Sequence, residues 1–97
     1  MNRDMILKTI ADAAVTLRQE FGVKELFIFG SVARGDATAQ SDVDILVAFE
    51  GPASLDQFLS LADRLEVLLG KRVDLVTWPA AQPKLLKRIE KDLIRAA

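Results

Sequence analysis

Apolar residues recur along the chain with two different periods, and these periods predict the secondary structure. Spacing of three or four predicts a first helix over residues 3–20, with Gly22 as its C-terminal stop. Apolar runs at residues 24–29 and 42–49 predict two strands, and the second run alternates in the period of two typical of a strand. Residues 31–36, between these strands, are expected to form a short helical turn, which a polar loop follows.

The second half of the chain predicts a helix, a strand and a last helix. Ser54 begins a capping box that opens the first of these helices, and Gly70 closes it. Residues 72–77 predict a third strand, Pro79 and Pro83 mark the turn after it, and Pro83 suits the first position of the last helix. The expected apolar faces of the two helices are Leu55, Phe58, Leu59, Ala62, Leu65, Leu68 and Leu69, and then Leu85, Leu86, Ile89 and Leu93.

The predicted order of elements is α-β-α-β-α-β-α, which indicates an α/β (α+β) domain. Helices are expected to flank a small mixed sheet of three strands. The short connection between the first two strands favours an antiparallel pair. We expect residues 1–97 to form a single domain, which leaves no room for a second domain that could hold a bulky acceptor.

The composition narrows the possible chemistry and location. The chain has no Cys and no His, so any bound metal must be a hard cation held by carboxylates. No apolar run approaches the roughly 18 residues of a membrane span. The N-terminus has no signal-peptide pattern, so we expect a cytoplasmic protein without membrane contact. The net charge of −1 lacks the basic footprint of proteins that grip nucleic acids. A nucleotide is therefore the expected substrate, without direct nucleic-acid binding.

A glycine-serine turn follows the first predicted strand. Gly30 would let the backbone approach a phosphate closely, and the start of a helical turn presents free N–H groups. The Ser31 hydroxyl could add a hydrogen bond to a terminal phosphate oxygen. An ordinary turn with Ser31 as the N-cap would show the same pattern. Arg34 could either steady bound phosphates or lock the loop against an acidic neighbour.

Three aspartates accompany this turn in the sequence. Asp42 and Asp44 are two positions apart on the second predicted strand, so both would project from one face, about 6.5–7 Å apart. Carboxylates at that spacing can converge on one or two divalent ions, as phosphoryl chemistry requires, although a solvated strand face is the alternative. Asp74 lies between apolar residues of the third predicted strand. It would join the other two if those strands pair, and otherwise it is an edge-strand aspartate.

The constellation G-S-x-A-R-G…S-D-x-D, with a later V-D-L-V, resembles the nucleotidyltransferase (polymerase-beta-like) superfamily. The resemblance is to its minimal nucleotidyltransferase (MNT-domain) branch and spans nearly the whole chain. It implies that Gly30 and Ser31 bind the triphosphate of ATP. It also implies that Asp42 and Asp44 hold Mg²⁺ and that Asp74 is the third acid of the site.

Proteins of this branch that are similar to this chain act as antitoxins of HEPN/MNT toxin–antitoxin pairs. The resemblance implies transfer of AMP from ATP to a tyrosine of a partner HEPN-domain ribonuclease toxin, which silences the toxin. Since the chain contains no Tyr, a tyrosine acceptor would have to come from that partner. Two alternatives remain open. One is a non-catalytic antitoxin that neutralises its partner by occlusion, and the other is an enzyme that modifies a small molecule such as an aminoglycoside.

Two lesser signals complete the sequence pattern. One side of the predicted last helix is basic and comprises Lys84, Lys87, Arg88, Lys91 and Arg95. Such a stripe is usually a solvated face, although it could dock an acidic partner or contribute to RNA contact within a complex. Trp78 could stack on adenine, but an aromatic residue that caps the edge of the core is the more ordinary interpretation.

Overall fold

The computed structural model describes residues 2–78 and 82–97, and these residues form five helices and four strands. The helices are α1 (Arg3–Asp12), α2 (Ala14–Phe21), α3 (Gly30–Arg34), α4 (Leu55–Leu69) and α5 (Pro83–Ile89). The strands are β1 (Val23–Phe29), β2 (Val43–Phe49), β3 (Val73–Thr77) and β4 (Ile94–Arg95). Pro83 is the first residue of α5, as predicted, whereas the turn predicted at Pro79 lies outside the described residues. No helix in the described ranges is both long and apolar enough to cross a membrane.

The strands form one mixed sheet in the order β3-β2-β1-β4. The predicted antiparallel pairing of β1 with β2 is confirmed, while β2 and β3 run parallel. The predicted number of three strands is wrong. The chain leaves the helix after Ile89, and Ile94–Arg95 pairs with the free edge of β1. Pairing satisfies backbone groups of β1 that would otherwise face solvent, but a strand of two residues is too short to show an alternating pattern.

The single helix predicted over residues 3–20 is divided at Ala13. The Ala13 N–H is shared between the carbonyls of Thr9 and Ile10, at N···O distances of 3.3 and 3.1 Å. Its backbone angles (φ −95°, ψ 1°) are no longer helical, and α2 begins at the next residue. Neither Gly nor Pro marks this position, and the apolar period continues through it, so the sequence pattern did not reveal the break.

The predicted bounds of α4 are confirmed, but its predicted core face is partly wrong. The Ser54 hydroxyl accepts a hydrogen bond from the N–H three residues later, and Gly70 caps the C-terminus. The buried residues of α4 are Leu61, Leu65 and Leu69. Leu55 and Leu59 are instead 71% and 49% exposed. Because leucines occur on several sides of this helix, periodicity alone could not decide which side packs on the sheet.

The two faces of the sheet are covered to different extents. The face toward α1, α2 and α4 carries the main core, to which β2 contributes Val43, Ile45 and Val47, all 0% exposed. The opposite face carries a smaller cluster in which Leu46 of β2 packs with Phe29 and with Ile89 of α5. Side chains alternate along a strand, so Asp44 projects on the same face as Leu46. The candidate site therefore lies on the α5 face, at the end of the sheet where β2 begins.

Candidate active site

Gly30 joins the end of β1 to the start of α3 and contacts one of the predicted acids. Its φ of +72° is a conformation that residues with a side chain rarely adopt. A Cβ at this position would collide with Oδ2 of Asp44 and would lie 3.1 Å from its Cγ. Glycine is therefore required for the turn and for the close approach of the Asp44 carboxylate. The predicted phosphate turn and Asp44, one of the predicted cation-binding acids, are in direct contact.

The sheet register brings two of the three aspartates side by side. Asp44 lies opposite Phe29 of β1 on one side and opposite Asp74 of β3 on the other. The condition for Asp74 to join the site, pairing of its strand with β2, is thus met. Asp42 differs from the prediction because the ladder begins only at Val43, so Asp42 lies in the loop immediately before β2. Asp42 and Asp74 are exposed, and Asp44 is the most enclosed of the three.

The surroundings of Asp44 disfavour its charged form. Burial raises the pKa of its carboxyl group, and the negative charges of Asp74 and Asp42 raise it further. A hydrogen bond with Asp74 acts in the same direction, while the positive charge of Arg34 lowers the pKa of Asp44. Charged carboxylates in this cluster repel one another at close range, an arrangement that a cation would stabilise.

The residues present fit a magnesium ion that is bound together with substrate phosphates. Among residues 2–78 and 82–97, no group of three or more acidic side chains is placed to hold a metal ion by itself. However, Mg²⁺ is commonly held by one or two carboxylates, several waters and the phosphates of a nucleotide, without an all-protein cage. The adjacent carboxylates of Asp44 and Asp74 match the protein share of such a site.

Ser31 lies inside α3 rather than at its cap. The N-cap residue is Phe29, so the alternative in which Ser31 is an ordinary N-cap does not hold. The Ser31 carbonyl accepts a hydrogen bond from the N–H of Asp36 at 2.8 Å, which closes the turn. Within the described residues its hydroxyl has no protein hydrogen-bond partner. The hydroxyl is therefore available to a ligand.

Arg34 connects α3 to a segment that is remote in sequence. Its Nε donates to Oδ2 of Asp36 at 3.1 Å, and its Nη1 donates to Oδ2 of Asp92 at 3.0 Å. These two bonds raise the pKa of the Arg34 guanidinium, so it stays charged. Of the two roles considered for Arg34, the structure shows the lock on an acidic neighbour, whereas phosphate contact stays a prediction. Asp92 was missed from the sequence, because nothing local marks a partner 58 residues away.

Two further features lie near the site without joining it. The Trp78 ring packs against Phe27, with ring centroids 5.7 Å apart, at the edge of the cluster under α5. A cavity of about 670 Å³ opens between the N-terminus of α1 and the loop after α3. Since no acid of the cluster lines this cavity, the candidate site is the open surface formed by the glycine turn and the carboxylates.

Known proteins with the same sequence pattern and architecture identify the family. Residues 8–96 match the model of the nucleotidyltransferase domain. The chain belongs to this family. The protein adenylyltransferase MntA of Thermococcus cleftensis is 46% identical over 78 residues, which cover 80% of this chain and 79% of that protein. The family and the enzyme class predicted from the G-S…D-x-D motif, a nucleotidyltransferase, are confirmed.

Solved structures of nucleotidyltransferase domains share the architecture described above. A structure assigned to a minimal nucleotidyltransferase aligns with a TM-score of 0.80 and 37% identity, covering 97% of this chain and 95% of that one. A complex of a tri-AMPylated HEPN toxin with an MNT antitoxin, from Shewanella oneidensis, aligns with a TM-score of 0.67. That alignment has 19% identity and covers 94% of this chain and 71% of the other, and it shows the common fold. The predicted fold class is confirmed, with four strands in place of three.

Proposed function

We propose that this nucleotidyltransferase transfers AMP from ATP to a hydroxyl group of a partner protein. The observation that carries the proposal is the contact of the Gly30 turn with the Asp44 carboxylate, which itself lies beside Asp74. A turn that can receive phosphates next to acids that can receive a divalent cation meets the needs of nucleotidyl transfer. The protein acceptor is supported by the adenylyltransferase activity for which the Thermococcus cleftensis relative is named.

The residues of the site would take the following roles. Backbone N–H groups at Gly30 and Ser31, with the free Ser31 hydroxyl, would hold the triphosphate. The Arg34 guanidinium would lie next to the triphosphate and steady it. Asp44 and Asp74, which lie side by side, would hold Mg²⁺ together with the phosphates, and we propose Asp42 as a further ligand that reaches the ion from the loop before β2 when the nucleotide is bound. When bound, Mg²⁺ supplies positive charge that offsets the charge developing on the phosphate oxygens. We further propose that residues 1–97 act as a single domain.

The reaction proposed is an in-line displacement at the α-phosphorus of ATP. The acceptor oxygen forms a bond to the α-phosphorus while the bond from that phosphorus to the bridging oxygen of the β-phosphate breaks. Pyrophosphate leaves with the electron pair, and the hydroxyl proton passes to a carboxylate. Asp74 would accept this proton, because it is exposed on the edge strand β3, where a partner could approach it.

The partner proposed is a HEPN-domain toxin, with this chain as its antitoxin. The support comes from the Shewanella oneidensis neighbour, in which an AMPylated HEPN toxin is bound to an MNT antitoxin. We propose a tyrosine as the acceptor. Since the 97 residues contain no Tyr, that side chain would lie outside them and could be presented in trans.

The proposal is tested by incubating the chain with labelled ATP, Mg²⁺ and the HEPN-domain protein proposed as its partner. The double variant Asp42→Asn, Asp44→Asn is expected to lose transfer by at least about 10²-fold, because the cation loses its ligands. The control is Asp56→Asn, Asp63→Asn, which makes the same charge change at two exposed aspartates of α4 and should keep transfer within about twofold of wild type. Undiminished transfer by the first variant would contradict the proposed mechanism.

The same two variants distinguish catalysis from neutralisation by occlusion. If AMP transfer silences the toxin, the Asp42→Asn, Asp44→Asn variant should still bind the HEPN protein but should no longer protect cells that express it. If that variant binds and protects as well as the control variant does, occlusion is the mechanism and the site is vestigial.

A further inference from the structure

The positive charges of the chain are unevenly paired. Of the 13 Lys and Arg residues, those in ion pairs are Arg3, Lys8, Arg34, Arg64 and Arg95. Four of the others follow one another within residues 84–91: Lys84, Lys87, Arg88 and Lys91. All four are exposed, and in the described ranges none of them forms an ion pair. We refer to these four residues as the α5 cationic surface.

The arrangement of these charges is unfavourable for the helix itself. Lys84 and Arg88 are four positions apart on α5, and Lys84 and Lys87 are three apart, so like charges face each other on one side. Two acids follow the helix, but Asp92 is already bonded to Arg34, which leaves Glu90. A short helix that concentrates like charges without internal compensation gains stability when an anionic group binds to it.

The segment that carries the α5 cationic surface is joined to the candidate active site by two contacts. The inner side of α5 packs through Ile89 on Phe29 and Leu46, on the sheet face from which Asp44 projects. Strand β3 runs parallel to β2, and both strands lead away from the site. The following segment, which includes α5, therefore runs back toward the site. The chain then reaches Asp92, whose carboxylate bonds to Arg34 at the site. A partner that places a hydroxyl group at the carboxylates would therefore also meet α5.

The surface is shaped as well as charged. A shallow, open depression on α5 is lined by Lys84, Lys87 and Arg88. Cationic groups from successive turns of the helix flank it. The depression can receive one or two carboxylate side chains, whose oxygens would accept hydrogen bonds from the ammonium and guanidinium groups.

We propose that the α5 cationic surface docks an acidic segment of the acceptor protein, next to the hydroxyl group that receives AMP. The proposal rests on the proposed function for the acceptor. A short acidic segment fits better than a nucleic acid, because an extended polyanion would also meet the carboxylates of Asp42, Asp44 and Asp74. The net charge of −1 further opposes its binding. Charge complementarity of this kind sets the rate of association and the choice of partner.

The test compares two charge reversals of equal size. Lys87→Glu, Arg88→Glu inverts the surface. The control, Arg18→Glu, Lys24→Glu, inverts one Arg and one Lys that are exposed on α2 and β1 and form no ion pair in the described part of the chain. The affinity for the proposed HEPN-domain partner is measured by calorimetry without ATP, at low and at physiological salt.

Inversion of the surface is expected to weaken binding about tenfold or more, and to remove most of its salt dependence. The control should stay within about twofold of wild type. At saturating HEPN protein the rate of AMP transfer by the inverted variant should be near that of wild type, because neither residue belongs to the site. The neutral variant Lys87→Gln, Arg88→Gln should weaken binding in the same direction but to a smaller extent. Thermal unfolding checks that each variant is folded, and the neutral variant replaces the inverted one if the latter does not fold.

Three results would overturn the docking proposal. The first is equal affinity of the inverted variant and wild type for the HEPN protein. The second is a wild-type chain that does not bind this protein. The third is a surface inversion that weakens binding of a single-stranded RNA oligonucleotide but not of the HEPN protein. Because affinity is measured without ATP, a wild-type chain that binds through α5 yet transfers no AMP refutes the proposed function and leaves the docking surface standing.

Discussion

The two faces of β2 have different surroundings, since one lies in the main core and the other carries part of the candidate site. On one face, Val43, Ile45 and Val47 are completely buried among the helices. On the other face, Asp44 is only partly buried, contacts the Gly30 turn and lies beside a second carboxylate. Adjacent residues of the strand thus lie in opposite environments. The apolar face contributes to folding through the main core, and Leu46 on the other face contributes through the smaller cluster, whereas the Asp44 carboxylate opposes folding and is supported by the rest of the domain.

The largest effect should come from the apolar face. Ile45→Ala removes a side chain that is 0% exposed, and we expect a loss of about 2–5 kcal/mol of unfolding free energy from the lost burial and the cavity left behind. Urea unfolding measures this loss. The control Leu59→Ala, on the exposed side of α4, should change stability by less than about 0.5–1 kcal/mol. Equal losses in the two variants would mean that the core is not where the structure places it.

The contact between turn and acid can be isolated with a pair of glycines. Both Gly30→Ala and Gly35→Ala place a side chain at a positive φ, which costs about 1–2 kcal/mol. Only at Gly30 would the added Cβ also collide with the Asp44 carboxylate, because nothing lies within 4 Å of the corresponding position at Gly35. We expect Gly30→Ala to be the more destabilised variant in urea unfolding and the one that loses AMP transfer. Similar behaviour of the two variants would argue against close packing of turn and acid.

The acidic face should become more stable when its central charge is removed. The raised pKa of Asp44 means that the folded state binds this proton more readily than the unfolded state does. Its contribution to stability is therefore complete below the unfolded pKa and is lost as the pH rises through the folded pKa. At pH 7, Asp44→Asn should raise the melting temperature by on the order of a few degrees, moderated by the partial exposure of the group.

The gain from Asp44→Asn should shrink as the pH falls through the raised pKa of Asp44, because the wild-type carboxyl group then becomes neutral too. Thermal unfolding of both proteins between about pH 7 and pH 3, an interval that includes the model-peptide pKa of Asp (about 3.9), measures the difference. Asp63→Asn, an exposed aspartate of α4, serves as the control for charge. A lower melting temperature of Asp44→Asn at pH 7 would contradict the account of this face.

The smallest effect should come from the bond that joins α3 to the segment after α5. Asp92→Asn removes the negative charge that binds Nη1 of Arg34. The Asp92 side chain is 21% exposed. Because the pair is partly screened by solvent, we expect a loss of under about 1 kcal/mol in urea unfolding. Asp36→Asn, at the more exposed of the two partners of Arg34, should cost less. A larger loss of unfolding free energy in Asp36→Asn than in Asp92→Asn would contradict the expectation that Asp92 is the stronger partner of Arg34.

Local patterns in the sequence predicted the features on which the site depends. The Gly30 turn, the alternation around Asp44 and the strand that carries Asp74 are all written in short segments. The features that were missed depend on packing between distant segments. The two-residue strand β4 needs the free edge of β1, and the bond from Arg34 to Asp92 joins residues 58 positions apart.

Where a helix carries apolar residues on several sides, the sequence pattern could not show which side is buried. Leu61 of α4 is buried, whereas Leu55 and Leu59, which were predicted to be buried, are exposed. The position of the helix over the sheet decides which of its leucines are covered. The division of the first helix at Ala13 is similar, since the apolar spacing passes through it without a local signal. In both cases the tertiary context sets the outcome.

We propose that Asp44, between the glycine turn and Asp74, is the centre of AMP transfer to a partner protein. The decisive experiment is to incubate the chain and the proposed HEPN-domain partner with Mg²⁺ and ATP labelled either at the α-phosphate or at the γ-phosphate. The account predicts that only the α label becomes attached to the HEPN protein. Asp44→Asn should abolish this labelling, and Asp63→Asn should preserve it. Attachment of the γ label, or undiminished α labelling by Asp44→Asn, would contradict the account.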